Sequence, residues 1–292
     1  MNKENFKSYI ALIGSMLIFG TLGVVRRYVP LSSAMLALCR GVLGSVFLLV
    51  FVLVRGGKLK LPERKATLWL VLTGAVMGLN WMLLFEAYNY TTVAAATMCY
   101  YMQPTIVILL SPIVFRERLG AKRLACAFAA IVGMLFVSGV LSGGAAAGQV
   151  QDIRGILFGL GAAAFYATVI ILNKKIVVGD IYAKTIIQLA GAALVMIPYV
   201  LLTEGVPDLS MSAAGVGTVL LVGIVHTGIT YALYFGSMQR LRAQTVAVLS
   251  YIDPVFALLL SAAVLHESLT PLGIVGAVLI IGSAIISETA KE

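Results

Sequence analysis

The sequence predicts an all-α integral membrane protein in which ten transmembrane helices form two inverted five-helix repeats. The 292-residue chain is 61% hydrophobic and only 11% charged, whereas a soluble domain carries about 25% charged residues. Apolar stretches follow one another along most of the chain, and each is long enough to cross about 30 Å of hydrocarbon. The segment 78–119 recurs without a gap at 228–269, with the same residue at eleven of the 42 positions. A duplicated membrane chain is the architecture of many secondary transporters.

The predicted helices, taken in chain order, are apolar runs separated by short polar loops. The last of them begins at Thr270 and Pro271, which are typical of an N-cap and a first helical position. The ten ranges are 9–28, 33–54, 66–87, 93–115, 122–140, 154–173, 182–202, 214–236, 245–265 and 271–289.

The distribution of Lys and Arg predicts that both termini are cytoplasmic. With that orientation 17 basic residues fall on the inside and three (Arg26, Arg27 and Arg154) on the outside, while Arg40 lies within a helix. Since each half has five crossings, the second half enters the membrane upside down relative to the first. The predicted division is 1–141 for the first repeat, 142–153 for a Gly- and Ala-rich outer linker, and 154–292 for the second repeat. The expected location is the cytoplasmic (inner) membrane.

Several classes of function are excluded or disfavoured. The net charge of +9 does not indicate nucleic-acid binding, because the basic residues collect in short loops between apolar segments. Cys39, Cys99 and Cys126 lie inside apolar segments and are read as packing residues, so no metal or cofactor site is predicted. A membrane enzyme would need a nucleophile with a base, a metal set or paired carboxylates, and none is visible. We expect a monomer or weak homodimer with the lipid bilayer and a small molecule as its partners.

Polar residues at matching depth in the two repeats are the first candidates for a binding site. Asp253 directly precedes Pro254, and its repeat mate Gln103 directly precedes Pro104. A proline in a helix removes a backbone hydrogen bond and bends the helix, which exposes a carbonyl one turn earlier. Asp253 is therefore a candidate for proton coupling, since burial favours the neutral carboxyl, or for binding a cationic group. A structural ion pair remains the alternative.

Charged residues near the predicted outer face form a second candidate group. Arg40, Glu86, Arg26 and Arg27 have similar predicted depth, which allows a salt-bridged outer gate. Arg40 is also a candidate for gripping a substrate carboxylate with two hydrogen bonds. The structural alternative is an Arg–Glu pair that holds helices together. Intramembrane charges are costly, so either role needs a partner.

Aromatic and polar residues on repeat-related positions are candidates for a central cavity. Aromatic walls with a few polar groups suit a small organic ligand and also hold cations. The paired positions are Trp81 with Tyr231, Tyr101 with Tyr251, and Asn80 with Thr230. Interfacial aromatic belts are the alternative interpretation, and it fits these deep positions poorly.

Three further ionisable residues receive separate interpretations. His226 lies near the middle of its predicted helix and is either a packing group or a coupling residue, because histidine titrates near neutral pH. Glu117 and Glu267 lie at helix ends in the two repeats and are read as structural.

Two repeat-related strings, QPTIVILLSPIVFRERLG and DPVFALLLSAAVLHESLT, together with Arg40 in LALCRG, resemble the EamA family of the drug/metabolite transporter superfamily. The resemblance covers nearly the whole chain. It implies helices packed around a central pathway, alternating access, and small metabolites as cargo, often amino acids and often exported. Asp253 and the Arg26–Arg27 pair do not match a general motif of that family.

Two functions are therefore weighed. The first is a proton-coupled or facilitative transporter of small polar metabolites, with amino acids or related zwitterions as the expected cargo and export as the expected direction. The second is an uptake carrier for an organic cation or quaternary amine that uses Asp253 and an aromatic cage. Arg40 favours a carboxylate-bearing cargo and Asp253 favours an ammonium group, so a zwitterion would satisfy both.

Overall fold

A computed structural model describes residues 3–116, 120–137, 153–176, 178–205, 210–238, 240–241, 246 and 249–289. These residues form helices and connecting loops, and no strand occurs among them. The predicted linker 142–153 lies outside the described residues except for Ile153, and so does Glu117.

The helices of the first half follow the predicted apolar runs. They are α1 (Lys3–Gly20), α2 (Leu22–Arg26), α3 (Ser33–Val54), α4 (Arg64–Tyr90), α5 (Val93–Tyr100), α6 (Gln103–Phe115) and α7 (Ala121–Val137). The predicted helix 93–115 is not continuous, because α5 ends at Tyr100 and α6 starts at Gln103.

The second half has a comparable series of helices. They are α8 (Ile153–Lys175), α9 (Ile181–Thr203), α10 (Ala213–Leu220), a π-helix (Leu221–Ile229), α11 (Thr230–Met238), α12 (Ile252–Val264) and α13 (Pro271–Thr289). The predicted helix 214–236 therefore contains a wide turn that the apolar pattern did not indicate.

Length and apolar composition identify the membrane-crossing helices. Within the described ranges, seven helical stretches are long and apolar enough to cross a bilayer, and Ile252–Val264 and Pro271–Ser287 are shorter apolar helices. The chain is a multi-pass, all-helical membrane protein.

The main helix–helix contacts stay the same when the two halves of the chain are interchanged. Helix α4 packs against α8 and α9, α1 packs against α11 and α12, and α3 packs against α9 and the π-helix. In addition, α8 packs against α5 and α6, α5 against α12, and α7 against α13. Chain order pairs α1 with α8, α3 with α9, α4 with the π-helix and α11, α5 and α6 with α12, and α7 with α13. When these partners are exchanged, the α4–α8 contact becomes α11–α1, the α4–α9 contact becomes that of the π-helix with α3, and the contacts of α8 with α5 and α6 become that of α1 with α12. The α3–α9, α5–α12 and α7–α13 contacts map onto themselves.

Small residues allow the closest helix crossings. Where α7 crosses α13, a Cβ atom added to Gly133 would lie 2.7 Å from the backbone oxygen of Gly276, and one added to Gly276 would lie 2.5 Å from that of Gly133. Real Cβ atoms do not approach so closely, so both positions require glycine at this separation. Such close backbone contact is a common source of helix association in lipid.

Candidate functional site

Asp253 and Tyr101 come from different halves of the chain and contact each other. The Tyr101 hydroxyl donates a hydrogen bond of 2.6 Å to Oδ2 of Asp253. The rings of Tyr101 and Tyr251, which are repeat mates, lie 6.3 Å apart between centroids. The structure therefore brings together three of the predicted site residues from the two halves of the chain.

The helix breaks explain why these side chains meet. The backbone N–H of Tyr101 closes the last turn of α5 by bonding to the Thr97 carbonyl, and α6 then starts at Gln103 with Pro104 in its first turn. In the second half, Tyr251 is the N-cap residue of α12, and Pro254 again lies in the first turn. Proline is well tolerated there because the first N–H groups of a helix have no intrahelical partner. Each proline therefore begins a new helix beside the site.

Two further tyrosines extend this group. The ring of Tyr100 lies 5.8 Å from that of Tyr101 and 5.6 Å from that of Tyr166. We call Tyr100, Tyr101, Tyr166 and Tyr251 the tyrosine cluster. Asp253 is half-buried beside it, and the Oε1 atom of Gln103, at the start of α6, is buried without a hydrogen-bond partner in the described structure.

Arg40 supplies a buried positive charge from α3. It is 2% exposed, its Nε donates a 2.9 Å hydrogen bond to the Thr227 hydroxyl, and its guanidinium carbon lies 4.2 Å from the centroid of the Trp81 ring. The ring of Phe85 is 5.4 Å away on the same group. Stacking on aromatic faces and a planar fork of donors are properties of arginine that lysine lacks.

The charges of Arg40 and Asp253 act on a shared set of hydroxyl groups. Tyr88 lies within electrostatic range of both charges, and Tyr100 and Tyr231 lie within range of Arg40. Among the described residues Arg40 and Asp253 do not form a salt bridge with each other. The site therefore contains one basic and one acidic side chain that are not paired with each other.

The π-helix contacts Arg40 through Thr227. The hydroxyls of Thr227 and Thr230 bond to the carbonyls of Val222 and Val225, each five residues earlier, at 3.0 and 2.7 Å. Isolated π-helical turns occur often at functional sites. The wide turn carries Thr227 to Arg40.

His226 lies on the same π-helix but points to a different neighbour. Its Nε2 is 2.8 Å from the Thr21 hydroxyl, and its Nδ1 is 3.2 Å from the Leu221 carbonyl oxygen. Both ring nitrogens thus have hydrogen-bonding partners, and the side chain connects the π-helix to the α1–α2 junction.

The other paired candidates form no hydrogen bond with Asp253 among the described residues, although Trp81 and Tyr231 share a hydrophobic cluster with Tyr100 and Tyr166. Asn80 is fully buried and its Nδ2 donates a 2.6 Å bond to the Ala162 carbonyl, while its Oδ1 has no partner in the described structure. Its repeat mate Thr230 bonds within its own helix. Tyr231 packs edge-on against Phe19 at 5.6 Å, and Trp81 lies under Arg40.

The predicted charged gate is assembled differently from the expectation. At the Arg27 end of the bundle, Arg26 donates to the Ser33 hydroxyl at 3.3 Å, and that hydroxyl donates to Oε2 of Glu86 at 2.6 Å. Arg26 and Glu86 are thus joined through Ser33. Arg40 is not part of this chain, since its guanidinium lies with Trp81 and Thr227.

Glu267 makes contacts that sequence reasoning did not identify. Its Oε1 accepts from the backbone N–H of Val93 at 3.0 Å, its Oε2 accepts from that of Ala94 at 3.3 Å, and Arg27 Nη2 lies 3.4 Å from Oε1. We call these contacts the Glu267 latch. A carboxylate at a helix N-terminus is stabilised by the unpaired N–H groups and the helix dipole.

The backbone before Glu267 explains its direction. His266 has a φ of 54°, in the left-handed region that non-glycine residues seldom occupy. Arg116, its repeat mate, has a φ of 57°. Both repeats therefore contain this left-handed turn. In the sequence, only the repetition of the glutamate at positions 117 and 267 indicated it.

A multi-pass helical chain with a buried arginine and a half-buried aspartate near discontinuous helices is typical of a membrane transporter. Among the described residues no three His, Cys, Asp or Glu side chains are placed to hold a metal ion. The EamA-like transporter family matches residues 6–139 and 153–289, and the chain belongs to this family. The protein is a transporter and not an enzyme.

Individual relatives agree with this assignment. The chain is 28% identical over 264 residues to "Uncharacterized transporter YxxF" of Bacillus subtilis, covering 89% of this chain and 82% of that protein. It is 30% identical over 207 residues to a "Probable amino-acid metabolite efflux pump" of Escherichia coli, covering 68% of each. A solved crystal structure with 20% identity covers 97% of this chain and 96% of its own, with a TM-score of 0.65, and shows the same fold.

Proposed function

We propose that this protein is a secondary transporter that exports amino acids or related zwitterions across the cytoplasmic membrane by alternating access. In this proposal the repeats 1–141 and 154–292 are inverted relative to each other, joined by the outer linker 142–153, and both termini are cytoplasmic. Asp253 is the candidate for proton coupling.

Two findings support a twofold relation between the halves, and the five predicted crossings in each half make that relation an inverted one. The family matches two separate ranges of similar length, and the packing contacts map onto one another when the halves are exchanged. Inverted repeats with discontinuous helices near the midplane are a common arrangement in secondary transporters. The 17-to-3 distribution of basic residues supports the cytoplasmic placement of both termini.

The observation that carries the cargo assignment is the pair of opposite charges on the two halves. Arg40 comes from the first half and stacks on Trp81, and Asp253 comes from the second half and accepts a hydrogen bond from Tyr101. Apart from the bond to Thr227, Arg40 makes no hydrogen bond or ion pair with the residues that the structure describes. A zwitterion would place its carboxylate at Arg40 and its ammonium group at Asp253, which compensates both charges.

The direction of transport is supported by relatives. Two of them, from Escherichia coli and Salmonella typhimurium, carry the name "Probable amino-acid metabolite efflux pump" at 30% identity. The contacts at the Arg27 end, which the proposed orientation places outside, hold α2, α3, α4 and α5 together with the α12–α13 loop. The conformation therefore agrees with a state that is closed to the outside.

One observation favours the alternative, an uptake carrier for an organic cation or quaternary amine. The tyrosine cluster and Asp253 combine aromatic faces with a carboxylate, which is the chemistry that binds quaternary ammonium groups. In that case Arg40 would have only a structural role.

Counterflow into proteoliposomes tests both possibilities. The wild type is offered a labelled amino acid, the amine that lacks its carboxylate, and the acid that lacks its amino group. We expect Arg40→Ala to reduce the preference for the amino acid over the amine at least about tenfold, because a charge-assisted contact to the carboxylate is lost. For the same reason, Asp253→Asn should reduce the preference for the amino acid over the acid at least about tenfold. Arg64→Ala and Glu63→Gln, which remove exposed charges, are the controls.

The outcomes separate the two functions. Transport of the amine and of a quaternary amine that is insensitive to Arg40→Ala and abolished by Asp253→Asn would establish the cation carrier. If neither substitution changes the transport of any cargo that the wild type moves, both site assignments are wrong.

A further inference from the structure

A cleft lies between α1, α3, α9 and α11, at the opposite end of the bundle from Arg27. It has a volume of about 470 Å³. Its cationic lining residues are Lys7, Arg55 and Arg240, and its apolar lining includes Phe47 and Leu233. The cleft thus combines a cationic mouth with an apolar floor.

This cleft is separate from the candidate transport site. Each residue of an α-helix is rotated by about 100° from the one before it, so Leu233 lies about 200° from Tyr231 around α11. Tyr231 packs against Phe19 and lies within electrostatic range of Arg40. The cleft is on the opposite face of α11.

The charges at the mouth have one sign. No Asp or Glu side chain lines the cleft among the residues described. The neighbouring Asp180 has its carboxylate engaged at 3.0 Å by the backbone N–H groups of Lys60 and of Ala183. The Arg55 guanidinium lies 4.7 Å from the centroid of the Phe51 ring, which orients it at the mouth.

We propose that this cleft binds an anionic phospholipid, with the phosphate among Lys7, Arg55 and Arg240 and an acyl chain along Phe47 and Leu233. The placement rests on the proposed orientation, which puts the cleft at the cytoplasmic leaflet. Basic pockets between transmembrane helices on that side are suited to anionic headgroups, and each basic residue contributes about 1 kcal/mol, or about fivefold in affinity. A phospholipid is favoured over a soluble anion because only a lipid also covers the apolar floor.

The first test compares lipids and charge variants of the purified full-length chain. Melting temperatures are measured in uncharged detergent with added phosphatidylglycerol or phosphatidylcholine, and bound lipid is counted by native mass spectrometry. We expect phosphatidylglycerol to stabilise the wild type more strongly, because a ligand that binds the folded state raises its melting temperature. The triple variant Lys7→Gln, Arg55→Gln and Arg240→Gln should bind on the order of a hundredfold more weakly.

A matched variant removes the same charge elsewhere. Arg64→Gln, Lys65→Gln and Lys122→Gln change three exposed basic residues outside the cleft. We expect this control to retain wild-type binding of phosphatidylglycerol. Equal losses in both triple variants, or equal stabilisation by both lipids, would overturn the proposal.

A steric variant tests the acyl-chain part without changing charge. A Cβ added to Gly236 would lie 3.6 Å from the Tyr182 hydroxyl, which is an ordinary contact. Gly236 lines the cleft, so we expect the longer side chain of Gly236→Leu to extend into it. Gly217 has no atom within 4 Å of an added Cβ, so Gly217→Leu is the control. We expect only Gly236→Leu to lower the number of bound phosphatidylglycerol molecules, and retention would contradict the proposed chain position. No cargo is present in these measurements, so their outcome does not depend on which cargo the protein transports.

Discussion

The hydrogen bond between Tyr101 and Asp253 links the two halves of the chain through single side chains. The 2.6 Å distance is short for an O–H donor to a carboxyl oxygen and indicates a charge-assisted bond when Asp253 is ionised. The ring of Tyr101 packs against the rings of Tyr100 and Tyr251. Tyr101 therefore orients the carboxyl group that the proposed cargo ammonium would meet.

Removal of this hydroxyl should weaken cargo binding and leave the fold intact. We expect Tyr101→Phe to raise the KM for amino-acid counterflow by about tenfold, because a hydrogen bond to a charged group contributes about 1.5–3 kcal/mol. Tyr28→Phe, at a residue that is 61% exposed, is the control. An unchanged KM with a lowered melting temperature would show instead that the bond only stabilises the bundle.

At the scale of helices, much of the architecture was predictable and the site was less so. Apolar runs predicted where helices lie, and every predicted range contains helix among the described residues. The prolines at 104 and 254 indicated bends, but the structure starts new helices there, since the last α5 turn closes at Tyr101. The π-helix left no mark in the apolar pattern, because its residues are as hydrophobic as those of an α-helix.

Contacts between distant segments could not be predicted. Arg40 meets Thr227, 187 residues away, and Glu267 meets Val93, 174 residues away. Helix periodicity fixes which face a side chain occupies but not which helix covers that face. Arg40 was accordingly predicted only to have a similar depth to Glu86, which bonds to Ser33.

We predict that the Glu267 latch limits the accessibility of the N-terminal part of α5. Glu267→Gln removes the charge that faces this helix end and Arg27, a loss of about 1 kcal/mol. We expect about fivefold faster labelling of Thr97→Cys by an impermeant maleimide in intact cells, in a background whose three native cysteines are replaced by alanine. Thr97 is a suitable reporter because it is 3% exposed on α5.

A matched carboxylate is available for comparison. Glu204 accepts a 2.8 Å hydrogen bond from Ser32 at the same end of the bundle. Glu204→Gln should leave the labelling rate of Thr97→Cys unchanged. Equal acceleration by both substitutions would indicate a general loss of surface charge in place of a specific latch.

At the scale of the whole molecule, the proposed inverted arrangement predicts a specific topology. Single cysteines at Gly57 and at Ala145 should be labelled from opposite sides of the membrane, the first from the cytoplasm and the second from outside. Tags on both termini should be accessible only from the cytoplasm. Labelling of both cysteines from one side would contradict the two inverted halves, whatever the cargo.

The Glu267 carboxylate contacts two backbone N–H groups and one guanidinium, and it is 6% exposed. Once one contact separates, water reaches the carboxylate and weakens the other two. Release of the Glu267 latch should therefore be all-or-none, because its three contacts share one carboxylate. We expect a latch that opens in this way to limit the leakage of ions, because the transporter then spends little time partly open.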